Sequence, residues 1–145
     1  MPPDDQPEAQ PGAQPSGPPA TARPRLSLSA TVLDAPDARE LAAFYRRLLG
    51  WDVVEDEPDW VVLRAPGSDS ALAVQTERAY VRPTWPAGDG DQQMMLHLDF
   101  EVDDLAASSA HAVEAGAVVA DHQPQADVRV HLDPAGHPFC LFLGT

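Results

Sequence analysis

One pattern of elements occurs twice along the chain, and this limits the fold more than any single motif. Leu28 to Leu33 reads as a short strand, and Pro36 and Asp37 then supply a helix start. Leu41, Phe44, Tyr45, Leu48 and Leu49 follow at helical spacing, and Gly50 closes the helix. Three strands are expected next, at Trp51 to Val54, Trp60 to Leu63 and Ala71 to Gln75, with turns around Pro58 and at Pro66-Gly67. The second unit repeats that order. A strand spans Met95 to Val102, Asp103 or Asp104 caps a helix that ends at Gly116, and Val118-Val119, Asp127 to Leu132 and Phe139 to Leu143 complete it. Asp37 to Gly50 and Asp103 to Gly116 are equally long, and shared spacing in segments of different sequence points to a duplicated module.

The expected class is α+β, with two βαβββ modules in tandem at about 26–78 and 93–145. Each module alone is a helix on a small sheet with one bare face. Two such sheets can close on each other around a cleft, where pockets concentrate. The alternative is one continuous antiparallel sheet with both helices on one side.

Residues 1–25 lie outside that pattern. They hold eight of the sixteen prolines and no large aliphatic or aromatic side chain after Met1, so they are expected to be disordered. They contain no apolar core of a secretory signal, and no later run is long enough to span a bilayer. A cytoplasmic location is the expectation. Nine basic residues, all Arg, stand against 23 acidic ones, a formal charge of −14. Nucleic acid and anionic membrane are therefore poor partners, and a neutral or cationic small molecule suits the chain better. A single cysteine excludes a disulfide framework.

Three segments carry a family resemblance. They are Asp37-Ala-Arg-Glu-Leu-Ala-Ala-Phe-Tyr-Arg-Arg-Leu-Leu-Gly-Trp51, His97-Leu-Asp-Phe-Glu-Val-Asp-Asp104 and Asp133-Pro-Ala-Gly-His-Pro-Phe139. With them the chain resembles the vicinal oxygen chelate superfamily of glyoxalase I, extradiol dioxygenases and bleomycin-resistance proteins. It looks most like the small glyoxalase-like members with Pro-Thr-Trp-Pro before the second module, here Pro83 to Pro86. The resemblance implies paired modules around a cleft, often in a homodimer, and a divalent metal held from four strand positions. Carried over one by one, those positions are Ala30, Ala73, His97 and Cys140. Two alanines donate nothing, so no metal and no other cofactor is expected, and the alanines are expected to leave a hollow for a small-molecule ligand.

The candidate site follows from alternation along the strands. His97 shares a face with Asp99 and Glu101, and an imidazole beside a carboxylate can do acid/base work. These three are the catalytic candidates. Leu96, Leu98, Phe100 and Val102 take the opposite face and are expected to pack on a helix. Gln75, Trp85, Cys140 and Phe142 are the ligand-binding candidates: an amide on the Ala73 face, a stiffened indole for stacking, and a thiol and a ring on the final strand. Cys140 lies among apolar neighbours, which disfavours its thiolate. Trp60 reads as core, Tyr45 is free to reach a neighbouring strand, and His131 is free to face cleft or solvent. His137 belongs to turn chemistry, and His111 and His122 to the surface. Two functions fit: lyase or isomerase-like proton transfer without the standard metal, or sequestration of a drug or metabolite without turnover.

Overall fold

The structure is a computed structural model, and residues 23–144 are described. The expectation for the tail therefore falls mainly on residues outside the described range. Ten elements follow in order: β1 (Thr31–Ala35), α1 (Ala38–Leu49), β2 (Asp52–Glu57), β3 (Trp60–Arg64), β4 (Ala71–Thr76), β5 (Leu98–Val102), α2 (Leu105–Ala115), β6 (Val118–Val119), β7 (Val128–Leu132) and β8 (Pro138–Leu143). They form two four-stranded sheets, ordered β1-β4-β3-β2 and β5-β8-β7-β6. In each sheet the first strand runs parallel to the last, and the other pairs are antiparallel. The single continuous antiparallel sheet is not what forms.

Local chemistry explains the helices. The Asp37 carboxylate accepts from the Arg39 and Glu40 amides at 3.0 and 3.2 Å, satisfying donors that a helix start leaves bare. Gly50 ends α1 at φ 69°, where a side chain would be strained. Asp104, not Asp103, caps α2 through the Ala107 amide at 2.9 Å. The two helices span twelve and eleven residues, so the repeat is one residue short of perfect.

One face of each sheet packs on its helix, and the two cores merge. Leu33, Val61, Leu63, Leu72 and Val74 meet Leu41, Phe44 and Tyr45 of α1. The Phe44 ring lies 6.0 Å from that of Phe139 in β8, which joins the modules through aromatic contact. Phe44, Tyr45 and Phe139 are fully buried, each contributing about 1.5–3 kcal/mol of apolar burial. The faces turned away from the helices carry the exposed Gln75, Asp99 and Glu101 together with the buried Val62, Ala73 and Val130.

Several boundaries differ from the sequence expectation. The first strand begins at Thr31 rather than Leu28, because its pairing with β4 starts at Leu72. Leu28 is left exposed. The strand expected from Met95 begins only at Leu98: Met95 sits at φ 64° and Leu96 bonds back to Met94 at 2.7 Å, which breaks the extended run. Leu98, Phe100 and Val102 pack against the core as expected, whereas Leu96 is exposed. Trp60 is not core. It alternates with Val61 and Leu63, so it takes the open face, where its Nε1 donates to Glu55 at 2.6 Å.

Candidate functional site

The open face of the second sheet gathers the catalytic candidates. Register places Asp99 opposite Cys140. His97 lies just before β5, and its Nε2 is 3.2 Å from Asp99 Oδ1, with both side chains about half exposed. His97, Asp99 and Cys140 each offer a donor atom within 4.8 Å of the others. One carboxylate thus serves both neighbours, facing the imidazole and accepting from the thiol. Burial, then the charge of Asp99, then that hydrogen bond push the Cys140 thiol up to about 11, so it is protonated at neutral pH. A protonated thiol is a poor nucleophile.

Glu101 and Phe142 oppose each other in the next row. The Glu101 carboxylate packs against Gly144, where an added Cβ would collide with it. Gln75 belongs to the other sheet. Its Nε2 donates to Asp34 Oδ1 at 2.6 Å, which ties down its amide. Trp85 sits in the connection between modules, its ring 5.5 Å from that of His122. The structure thus brings His97, Asp99 and Cys140 together, sets Glu101 and Phe142 beside them, and places Gln75 and Trp85 elsewhere.

Ala73 leaves no hollow. It is fully buried, with Val32 and Val62 as its register neighbours on either side. Ala30 precedes β1 and is half-buried. The four-position metal site therefore has no donors from the first module. Among the described residues, the remaining set of imidazole, carboxylate and thiol all belongs to the second, and its thiol is foreign to the hard-ion chemistry of such sites. The residues do not fit the metal of the superfamily.

His131 is fully buried, correcting the open choice between cleft and solvent. It stacks on Phe139 at 5.3 Å, with Nε2 2.9 Å from Ser109 Oγ and Nδ1 3.2 Å from the Arg129 carbonyl. Desolvation by burial lowers its pKa below 6.5.

A second polar cluster was not legible in advance. Asp133 is 1% exposed, yet every side of its carboxylate is used. It accepts from Tyr45 Oη at 2.6 Å, from the Ala135 and His137 amides at 2.9 Å each, and from His137 Nδ1 at 2.8 Å. Tyr45 thus reaches the turn between β7 and β8, not a strand. The Tyr80 hydroxyl donates to the Ala135 carbonyl at 2.6 Å and lies 3.3 Å from His137 Nε2. Burial, the Asp133 charge and the hydrogen bond to it hold the Tyr45 phenol well above its ordinary value. Tyr80 is pushed up to about 12 by burial and Asp133, against the opposing pull of Arg82. The Asp-Pro-x-Gly-His turn was visible in the sequence, but its partner Tyr45 lies 88 residues away.

The geometry and the comparisons agree on the class. Residues 30–142 match the family model of the glyoxalase-like domain, so the chain belongs to that family, within the vicinal oxygen chelate superfamily. It is similar in fold to a glyoxalase/bleomycin resistance protein/dioxygenase family enzyme from Burkholderia phytofirmans PsJN. That match has 18% identity, TM-score 0.59, and coverage of 79% of this chain and 96% of that one. It is likewise similar to the fosfomycin resistance protein FosX from Mesorhizobium loti, at 15% identity and TM-score 0.60, covering 82% and 92%. A glyoxalase family protein from Enterococcus faecalis matches at 20% identity and TM-score 0.59, covering 80% and 96%. No curated protein matches. Among the described residues, no helix is long and apolar enough to cross a membrane.

Proposed function

We propose that this glyoxalase-like protein binds a small organic molecule on the open face carrying His97, and transfers a proton to or from it without the superfamily's metal. The observation that carries this reading is the His97–Asp99 pair at 3.2 Å. A carboxylate beside an imidazole fixes its tautomer and orientation, which is what an acid/base group requires. Both side chains are exposed enough to meet a ligand. Proton transfer of this kind belongs to lyase or isomerase chemistry. Glu101 and Phe142, one row along, would contact the body of the ligand. Gln75 and Trp85 would join only from the other sheet and the connecting loop.

A second reading is sequestration without turnover, as the bleomycin-resistance resemblance suggests. The protonated Cys140 is consistent with it, because the cluster offers no nucleophile for covalent turnover. Association of two copies belongs to either reading.

The test is a thermal-shift screen of organic metabolites and drugs, followed by His97→Ala and Asp99→Asn on any hit. Loss of product formation with retained binding, in enzyme dialysed against a chelator, supports proton transfer. Retained turnover in His97→Ala, or turnover abolished by the chelator, refutes it. Binding without product in the parent protein selects sequestration.

A further inference from the structure

The two modules meet at a depression outside the His97 cluster. Its volume is about 320 Å³, at the lower end of the range that holds small ligands. β1 supplies Val32 and Asp34, the segment after β4 supplies Glu77, Tyr80 and Val81, and the segment before β5 supplies Met95 and Leu96. His137 closes the back. We infer that this depression is a binding site for a small organic cation, an ammonium group on an apolar frame.

Three independent features support that class of ligand. Part of the rim is apolar and exposed: Val32, Val81, Met95 and Leu96 are between 39% and 82% exposed and line it beside Asp34, Glu77, Gln92 and Gln93. The charge is acidic. Asp34 spends Oδ1 on Gln75 and Glu77 spends Oε1 on the Ala79 amide, which leaves one oxygen of each without a partner among the described residues. The nearby Arg82 keeps its charge and is held by the Pro134 carbonyl at 2.9 Å. His137 turns its Nδ1 to the Asp133 carboxylate at 2.8 Å, away from a ligand.

The wall is also rigid. Tyr80 is held by its bond to Ala135, and its ring lies 5.8 Å from the His137 ring. A fixed, neutral phenol ring attracts a cation through its face and needs no ordering on binding. Met95 stands at φ 64° with the Met94–Leu96 hydrogen bond closing a tight turn around it. An unbranched side chain held in that strained conformation, 82% exposed at the rim, is of the kind found where proteins clamp ligands.

This inference does not depend on the His97 reading, and its test reads a different atom. The probe is benzyltrimethylammonium, compared with its neutral isostere neopentylbenzene, on the full chain with carbon-13 methionine methyls. The chain has three methionines, Met1, Met94 and Met95, so the spectrum is assignable. The expected result is a saturable shift of the Met95 methyl with the cation, at least about fivefold weaker with the neutral isostere. Asp34→Asn keeps the acceptor for Gln75 and Glu77→Gln keeps that for Ala79, so both preserve local bonds. Each should weaken binding about three- to tenfold, whereas Glu114→Gln on α2, which removes the same charge elsewhere, should not. No saturable Met95 shift, equal binding of the neutral isostere, or unchanged affinity in the Asp34→Asn/Glu77→Gln double variant would overturn the inference.

Discussion

Replacing Tyr45 with Phe isolates the bond that joins the modules. The phenol donates to Asp133 at 2.6 Å, with the acceptor 1% exposed. Phe keeps the ring, and with it the contacts to Phe44 at 4.8 Å and Phe139 at 6.5 Å. Only the hydroxyl is lost. A hydrogen bond to a buried charge is worth about 1.5–3 kcal/mol, so a cost near 2 kcal/mol is expected at neutral pH. For a domain of this size that corresponds to a fall of about 8 °C in Tm. The pH dependence gives a second, sharper check. The folded-state pKa of Tyr45 lies well above its ordinary value of 10. Its contribution is therefore complete below 10 and is lost as the pH rises toward the folded value, because the unfolded chain releases the proton first. The advantage of the parent over Tyr45→Phe should shrink by about 1.4 kcal/mol per pH unit above 10. Urea unfolding at about pH 7 and about pH 10.5 measures both quantities. A cost below about 0.5 kcal/mol at neutral pH, or one that does not change on the alkaline side, would show that Asp133 does not rely on this phenol.

Two further outcomes follow from the titratable groups. Cys140, with its thiol pushed up to about 11, should react with Ellman's reagent at about pH 8 on the order of a hundredfold more slowly than an ordinary thiol. Asp99→Asn removes the charge that helps raise it and should speed the reaction, and an unchanged rate would contradict the assigned cause. His131 has its pKa lowered below 6.5 by burial, so its contribution is intact above that value and is lost as the pH falls through the folded one. His131→Gln should flatten the acid limb of the stability curve below about pH 6.5, measured by urea unfolding, and an unaltered limb would place the acid-sensitive group elsewhere.

What the sequence revealed depended on how local each cause was. The caps Asp37 and Gly50 act within a few residues, and their chemistry could be read directly. The tandem modules were legible because the repeat carries its own spacing. Strand starts were not, since Thr31 begins a strand only where Leu72 stands opposite, and nothing near Leu28 records that. Period-two alternation also names two faces without saying which is covered. That is why alternation points Trp60 to the core and leaves His131 open, whereas the first bonds to Glu55 on the face away from the helix and the second stacks on Phe139. The site was half legible: His97 and Asp99 share a short segment, whereas Asp99 meets Cys140 only through the register of β5 with β8. The Tyr45–Asp133 bond spans most of the domain and left no sign in the sequence.

The modules are fastened by more than that one bond. Arg47 Nε donates to the Ala115 carbonyl at 3.0 Å, and His111 Nε2 lies 3.0 Å from the Leu48 carbonyl. These attachments, with Phe44 against Phe139, lie away from the exposed stretch between Pro86 and Gln93. A nick in that stretch would sever the chain without parting its halves. The covalent link is then a tether that raises the local concentration of two pieces already shaped to hold each other, and separately produced halves should reassemble on mixing.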